Sequence, residues 1–168
     1  MNTLFVLGGA RSGKSRYAQA RAEALDGELL FVATAQALDA EMAERIARHR
    51  ADRGPRWVTV EASLDLAATL RAESREDRVL LIDCLTLWTS NLLLAEHDIS
   101  MATDDLIAAV AVAAGPLILV ANEVGLGIVP DNALARRFRD EAGRVNQRLA
   151  TAVDGVMFIA AGLPLKLK

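Results

Sequence analysis

The sequence predicts an α/β fold, a mainly parallel central sheet with helices on both faces. Two observations carry that expectation. Short apolar runs recur at 4–7, 29–33, 57–60, 79–82, 117–121 and 156–160, separated mostly by segments of helical periodicity. Buried strands alternating with helices are the pattern of a sheet built through crossover connections. The first run feeds straight into Gly-Gly-Ala-Arg-Ser-Gly-Lys-Ser at 8–15, a Gly-x-x-x-x-Gly-Lys-Ser loop whose required context is a strand before it and a helix after it. At 168 residues the chain has the size of one compact domain, so a single P-loop nucleotide-binding catalytic domain is expected over 1–168.

The elements follow in order. After the first strand, Gly8, Gly9 and Gly13 let successive backbone N–H groups turn inward around phosphate oxygens, with Ala10, Arg11 and Ser12 completing the turn. Lys14 brings a point charge and Ser15 a hydroxyl for Mg²⁺, and the helix expected over 16–25 adds its positive N-terminal end. A Gly-rich turn without a ligand is the plain alternative; the flanking strand and helix weigh against it. Residues 38–53 have helical spacing that puts Leu38, Met42, Ile46, His49 and Arg53 on one face. Positive charge from Arg50 and Arg53 would hold the His49 imidazole neutral, its nucleophilic form, and would offset charge on a phosphate under attack. Spacing alone leaves packing and catalysis both open for His49.

Asp83 ends the run 79–82, where a Walker-B carboxylate stands close to a metal or its water. The competing reading is a cap for the helix expected from 85, and the loop's demand for a metal partner favours the first. Segment 85–94, with Trp88 and three consecutive leucines, reads as core or subunit interface, and His97 as a solvated loop residue. Residues 106–121 read as a helix followed by a buried strand; they fall short of the roughly 20 residues of a bilayer span and are broken by Gly115-Pro116. The glycine-rich segment 122–130 either orders around a substrate or turns the chain into a helix at 131. No Asn-Lys-x-Asp guanine signature occurs, which weighs against a regulatory switch. The arginines at 136, 137, 139, 144 and 148 read as a solvated, salt-bridged helix face, with one phosphate- or carboxylate-facing arginine as the alternative. Strand ends at Gly8, Thr34, Asp83, Asn122 and Gly162 are expected to converge, because ligands of open α/β sheets collect at those ends.

Composition narrows the class. A net charge of −3 and a pI of about 5.4 lack the basic footprint of a nucleic-acid binder. The single cysteine, Cys84, has no disulfide partner within the chain and fits a reducing, cytoplasmic setting. Residues 1–7 read as the first strand rather than a basic-then-apolar leader, so no membrane partner is expected.

Taken together, the segments 8–15, Val-Ala-Thr-Ala at 32–35, Arg-Ile-Ala-Arg-His-Arg at 45–50 and Asn-Glu-Val-Gly-Leu-Gly-Ile-Val-Pro at 122–130 resemble the bifunctional adenosylcobinamide kinase/adenosylcobinamide-phosphate guanylyltransferases. Phe138-Arg139-Asp140, Gly143-Arg144-Val145-Asn146-Gln147 and the terminal Gly-Leu-Pro-Leu-Lys-Leu-Lys extend the resemblance over essentially the whole chain. It implies a RecA-like P-loop NTPase fold and a homotrimer. It also implies two reactions in cobalamin synthesis: phosphorylation of adenosylcobinamide by ATP or GTP, then GMP transfer from GTP to adenosylcobinamide phosphate, giving adenosylcobinamide-GDP and pyrophosphate.

By the same resemblance His49 carries GMP, and Lys14 serves both steps. Residues 8–15, Ala33, Thr34, Ala35, Arg50, Ala51, Asp52, Arg53, Glu61 and Asp83 contact nucleotide, with Ser15 and Asp83 on Mg²⁺. By itself Glu61 is only a carboxylate at the end of a strand. Ala121 departs from the family, where many relatives carry a hydroxyl residue. A simpler P-loop small-molecule kinase that forms no GMP-enzyme is the alternative enzyme, and a nucleotide-dependent binding protein the alternative outside enzymes.

Overall fold

The computed structural model describes residues 2–36, 44 and 53–168. Each apolar run is a strand: β1 (Thr3–Gly8), β2 (Glu28–Ala33), β3 (Trp57–Glu61), β4 (Arg78–Asp83), β5 (Leu117–Asn122) and β6 (Gly155–Ala160). A further strand, β7 (Leu163–Lys166), has no counterpart in the expected six. Its four residues are all exposed and include Pro164, so no apolar run announces it, and proline is tolerated because the strand lies at a sheet edge. Ala161 and Gly162, both at positive φ (51° and 81°), join it to β6 as a tight two-residue hairpin turn requires.

The described helices are α1 (Lys14–Glu23), α2 (Leu66–Glu73), α3 (Leu85–Leu94), α4 (Ile99–Ala111) and α5 (Ala133–Ala152). The helix expected over 38–53 lies outside the described residues except at Glu44 and Arg53. The final helix starts at Ala133 rather than 131 because Asn132 is its cap, its side-chain oxygen accepting from the Ala135 N–H at 2.7 Å.

The sheet order is β3-β2-β4-β5-β1-β6-β7, with every pairing parallel except β6 with β7. One strand, β5, therefore separates the loop-bearing β1 from the Asp83-bearing β4. Side-chain alternation divides the core in two. Leu4, Val6, Leu29, Phe31, Val79, Leu81, Ile118 and Val120 pack with Ala18 and Ala22 of α1 on one face. Phe5, Leu7, Leu30, Val32, Leu80, Ile82, Leu117 and Leu119 pack on the other with buried residues of α2, α3, α4 and α5.

Segment 85–94 belongs to that second core, with Leu85, Trp88, Leu92 and Leu93 all buried. The expected arginine face is realised on α5: Arg144 pairs with Glu141 at 2.8 Å, Arg139 with Asp140 at 3.2 Å, and Arg148 with Asp104 of α4. Arg136 instead donates to the carbonyls of Pro130 (3.0 Å) and Asp131 (2.8 Å), tying the helix to the segment that precedes it. Among the described residues no helix is long and apolar enough to cross a membrane.

Candidate active site

The glycine loop leaves β1 and closes onto α1 as its spacing demands. A Cβ at Gly8 would lie 2.5 Å from Ser12 Oγ and 2.6 Å from the Ile159 carbonyl oxygen, so only glycine fits beneath the turn. Gly13, at φ 92°, occupies the left-handed region as the N-cap of α1 and supplies no side-chain cap. The first N–H groups of the helix thus meet no capping side chain, which is the arrangement that favours an anion. Lys14 Nζ donates to the Gly9 carbonyl at 3.3 Å across the loop, and Ser15 follows it on the first turn of α1. Ala10 and Arg11 are exposed at the crest, with Arg11 at φ 56°.

Strand alternation explains what gathers around this loop. Gly8, Asp83, Ala33 and Glu61 are the last residues of β1, β4, β2 and β3, and each continues the series that faces α1. Register pairs Ala33 with both Asp83 and Glu61, so the strand tips place these residues in a row. Asp83 is half-buried, and α3 takes Cys84 rather than Asp83 as its N-cap. The helix-cap reading of Asp83 therefore falls away.

Ser15, Gln19 and Glu23 along one side of α1, with Phe31, Asp83 and Arg53, line a cleft of about 400 Å³. The Arg53 guanidinium lies 3.5 Å from the centroid of the Phe31 ring, a stacked cation at the cleft wall. Glu23 Oε1 accepts from Gln19 Nε2 at 2.8 Å and Trp57 Nε1 at 3.0 Å; the Gln19 bond first and the Trp57 bond second hold its carboxyl below the usual range. Gln19, Glu23 and Phe31 were absent from the sequence expectation. The signal available for two of them was the polar stripe Ser15, Gln19, Glu23 at a spacing of four on α1.

Thr34 lies one residue beyond β2, faces away from this row and is fully buried. Its hydroxyl donates to the Cys84 carbonyl at 2.7 Å and accepts the Cys84 N–H at 2.8 Å, while its own carbonyl accepts from Asn91 Nδ2 at 2.8 Å. The side chain thus clamps the tip of β2 to the start of α3, leaving Ala35, half-buried, as the next residue along. Thr34→Val is expected to destabilise the fold by about 1–3 kcal/mol, since it strands two buried backbone groups, whereas Thr34→Ser keeps the clamp. Urea unfolding of the two variants checks this; equal midpoints would remove the clamp from the account.

Cys84 itself is buried, and burial first, then the neighbouring Asp83 charge, pushes its thiol up to about 11, with Lys14 among the groups pulling the other way. It is an inert structural thiol. His97 lies exposed between α3 and α4, as expected. His49, Arg50, Ala51 and Asp52 lie outside the described residues.

A mainly parallel sheet with a phosphate loop after β1, an acidic strand tip on β4 and one strand between them defines a RecA-like P-loop nucleotide-binding protein. Solved structures support the same fold. An ATPase from the type III secretion system of pathogenic bacteria superposes with a TM-score of 0.60 at 12% identity, covering 98% of this chain and 56% of that one. A protein from Pyrococcus horikoshii OT3 gives 0.55 at 10% identity, covering 99% and 86%.

The chain belongs to the cobinamide kinase / cobinamide phosphate guanyltransferase family, whose model matches residues 4–167. It is 48% identical to the bifunctional adenosylcobalamin biosynthesis protein CobP of Pseudomonas aeruginosa, covering 97% of this chain and 95% of that protein. It is 45% identical to the bifunctional adenosylcobalamin biosynthesis protein CobU of Salmonella typhimurium, covering 98% and 99%.

Proposed function

We propose that this protein phosphorylates adenosylcobinamide with a nucleoside triphosphate and then transfers GMP from GTP to the product, giving adenosylcobinamide-GDP and pyrophosphate, with GMP held on His49 between the two halves of the transfer. The observation that carries the proposal is the loop of residues 8–15, with its uncapped helix N-terminus, set in a chain that matches this family from residue 4 to 167.

Lys14 and the loop amides hold the phosphates. Ser15 and Asp83 line one cleft and present a hydroxyl and a carboxylate oxygen, a donor set that suits Mg²⁺, which takes one or two protein oxygens beside phosphate and water. When bound, Mg²⁺ would neutralise charge on the phosphate oxygens. Arg53, stacked on Phe31, would supply fixed positive charge at the cleft wall, with Glu61 and Ala33 at the neighbouring strand tips. Arg50, Ala51, Asp52 and Ala35 complete the proposed nucleotide site; Thr34, expected among them, is instead fully buried and serves as the clamp behind the strand tip.

In guanylyl transfer a ring nitrogen of neutral His49 attacks the α-phosphorus. A P–N bond forms, and the bond to the bridging oxygen breaks with its electron pair on pyrophosphate. Adenosylcobinamide phosphate then displaces the histidine through a phosphate oxygen. The kinase step is attack of the acceptor hydroxyl at the γ-phosphorus and depends on positioning and charge, so it does not require His49. We further propose a homotrimer in the cytoplasm, the first testable by sedimentation.

The test is incubation with Mg²⁺ and GTP labelled at the α-phosphate, followed by denaturation. Label on the wild type that is stable to alkali and released by acid, and absent from His49→Ala while cobinamide phosphorylation persists, is the expected result. A wild type that binds GTP, phosphorylates cobinamide and never acquires label would instead be a single-activity kinase.

A further inference from the structure

The row of strand tips on the α1 face contains a member with no role in the reading above. On β5, Ile118 and Val120 pack on that face, so Asn122, the last residue of the strand, points to the same side. It stands opposite Gly8 in the parallel register, two residues beyond Val120, which is itself paired with Asp83. Asn122 therefore lies between the phosphate loop and the Walker-B carboxylate.

Its backbone is anchored from three directions. The Asn122 N–H donates to Thr86 Oγ1 of α3 at 2.7 Å, its carbonyl accepts from Asn146 Nδ2 of α5 at 3.2 Å, and the next N–H, of Glu123, donates to the Gly8 carbonyl at 3.0 Å. Thr86 and Asn146 are among the six buried polar side chains of the described residues. The fold thus fixes where the Asn122 side chain starts, yet the carboxamide oxygen is buried and accepts no hydrogen bond. Ser12 Oγ, within the loop, shares that condition. A buried acceptor without a donor is costly, and here the acceptor stands beside the phosphate loop, opposite Gly8.

We propose that Asn122 is a positioning residue for the phosphoryl-transfer step: its carboxamide oxygen accepts the hydrogen bond of the hydroxyl that attacks the terminal phosphorus. The P-loop lysine addresses the β- and γ-phosphates, so the strand tip beside the loop faces the terminal phosphoryl group rather than the α-phosphorus. The hydroxyl oxygen bonds to the γ-phosphorus, and the bond to the β,γ-bridging oxygen breaks with its pair remaining on the nucleoside diphosphate. The hydroxyl proton passes through a transferred phosphoryl oxygen to water. Asn122 gains and loses no proton; it aims a lone pair. The proposal rests on the kinase reading above for the identity of the acceptor, but its geometry serves an attacking water equally well.

The experiment compares wild type with Asn122→Leu, close in size without the polar atoms, and Asn122→Ser, which restores an oxygen. Adenosylcobinamide phosphorylation, slow hydrolysis of the terminal phosphate without acceptor, GMP labelling of the protein and Tm are measured on the full chain. For Asn122→Leu the expected result is a fall in kcat of about tenfold or more for phosphorylation and hydrolysis, with the nucleotide KM and the GMP labelling within about twofold of wild type. Asn122→Ser is expected to lie between. Unchanged phosphorylation, or parallel loss of labelling, phosphorylation and Tm, would overturn the proposal and leave Asn122 structural. If Asn122→Leu fails to fold, the kcat-to-labelling ratio of Asn122→Ser decides. A wild type that phosphorylates no cobinamide would defeat the kinase reading, and the hydrolysis rates would still decide the role of Asn122.

Discussion

Lys14→Ala is expected to lower both cobinamide phosphorylation and GMP transfer by roughly a hundredfold or more, the scale on which a preorganised charge at a reacting phosphate acts, with Tm nearly unchanged. The ammonium group lies across the loop at 3.3 Å from the Gly9 carbonyl, close enough to the strand tips for its charge to reach Cys84. A phosphate in the loop competes for that ammonium with a charge-assisted bond, stronger than the neutral carbonyl contact. Stability is spared because alanine is the best helix former and, among the described residues, the Gly9 carbonyl is the one hydrogen-bond partner of the Lys14 side chain. Lys14→Arg is not a rescue, since a planar fork cannot replace a compact point charge within a closed loop. Measuring the two half-reactions separately gives the comparison its force: one loop serving both means both fall. Loss of only one would require two nucleotide sites.

The row of residues on the α1 face explains why much of this was legible in sequence. Strands have a side-chain period of two, so an apolar run that ends in a polar or glycine residue reveals both the tip and, once neighbours are paired, the face. Gly8, Asp83 and Asn122 were readable as tips on that basis. Facing direction was not, and it separates Thr34 from Ala33: adjacent in the chain, one clamps Cys84 from within the core and the other faces the site. Glu61 ends a strand with only partial burial, so its place in the row came from register with Ala33 rather than from any pattern in the chain. The orphaned oxygens of Ser12 and Asn122 could not be inferred at all, because a missing hydrogen bond is a property of packing. β7 carries no sequence signal, since an exposed Leu-Pro-Leu-Lys run at a sheet edge buries little. The arginines of α5 were readable as a charged face, but that Arg136 holds the carbonyls of residues 130 and 131 depends on the geometry of the helix start.

Trp88→Ala is expected to be the most destabilising single change in the helical layer, by about 3–5 kcal/mol, the range for emptying an aromatic site in a core. Trp88 is 1% exposed in the second core, and its Nε1–H donates to the Leu64 carbonyl at 2.9 Å, joining α3 to the segment ahead of α2. The substitution leaves a cavity and a carbonyl without its donor, two costs that add because neither neighbour can move into the space without breaking other contacts. The consequence reaches the site: three residues along α3, Asn91 Nδ2 bridges the carbonyls of Thr34 and Ser63 at 2.8 and 3.0 Å, so a loosened α3 releases the tip of β2. Domains of this kind are stable by only about 5–15 kcal/mol, so the loss is large. Trp88→Phe, which fills most of the volume without the N–H, is expected to lose much less. Denaturant unfolding followed by the fluorescence of the remaining tryptophan, Trp57, measures both. If Trp88→Ala and Trp88→Phe lost the same amount, the hydrogen bond to Leu64 rather than the packing of the ring would hold α3 in place.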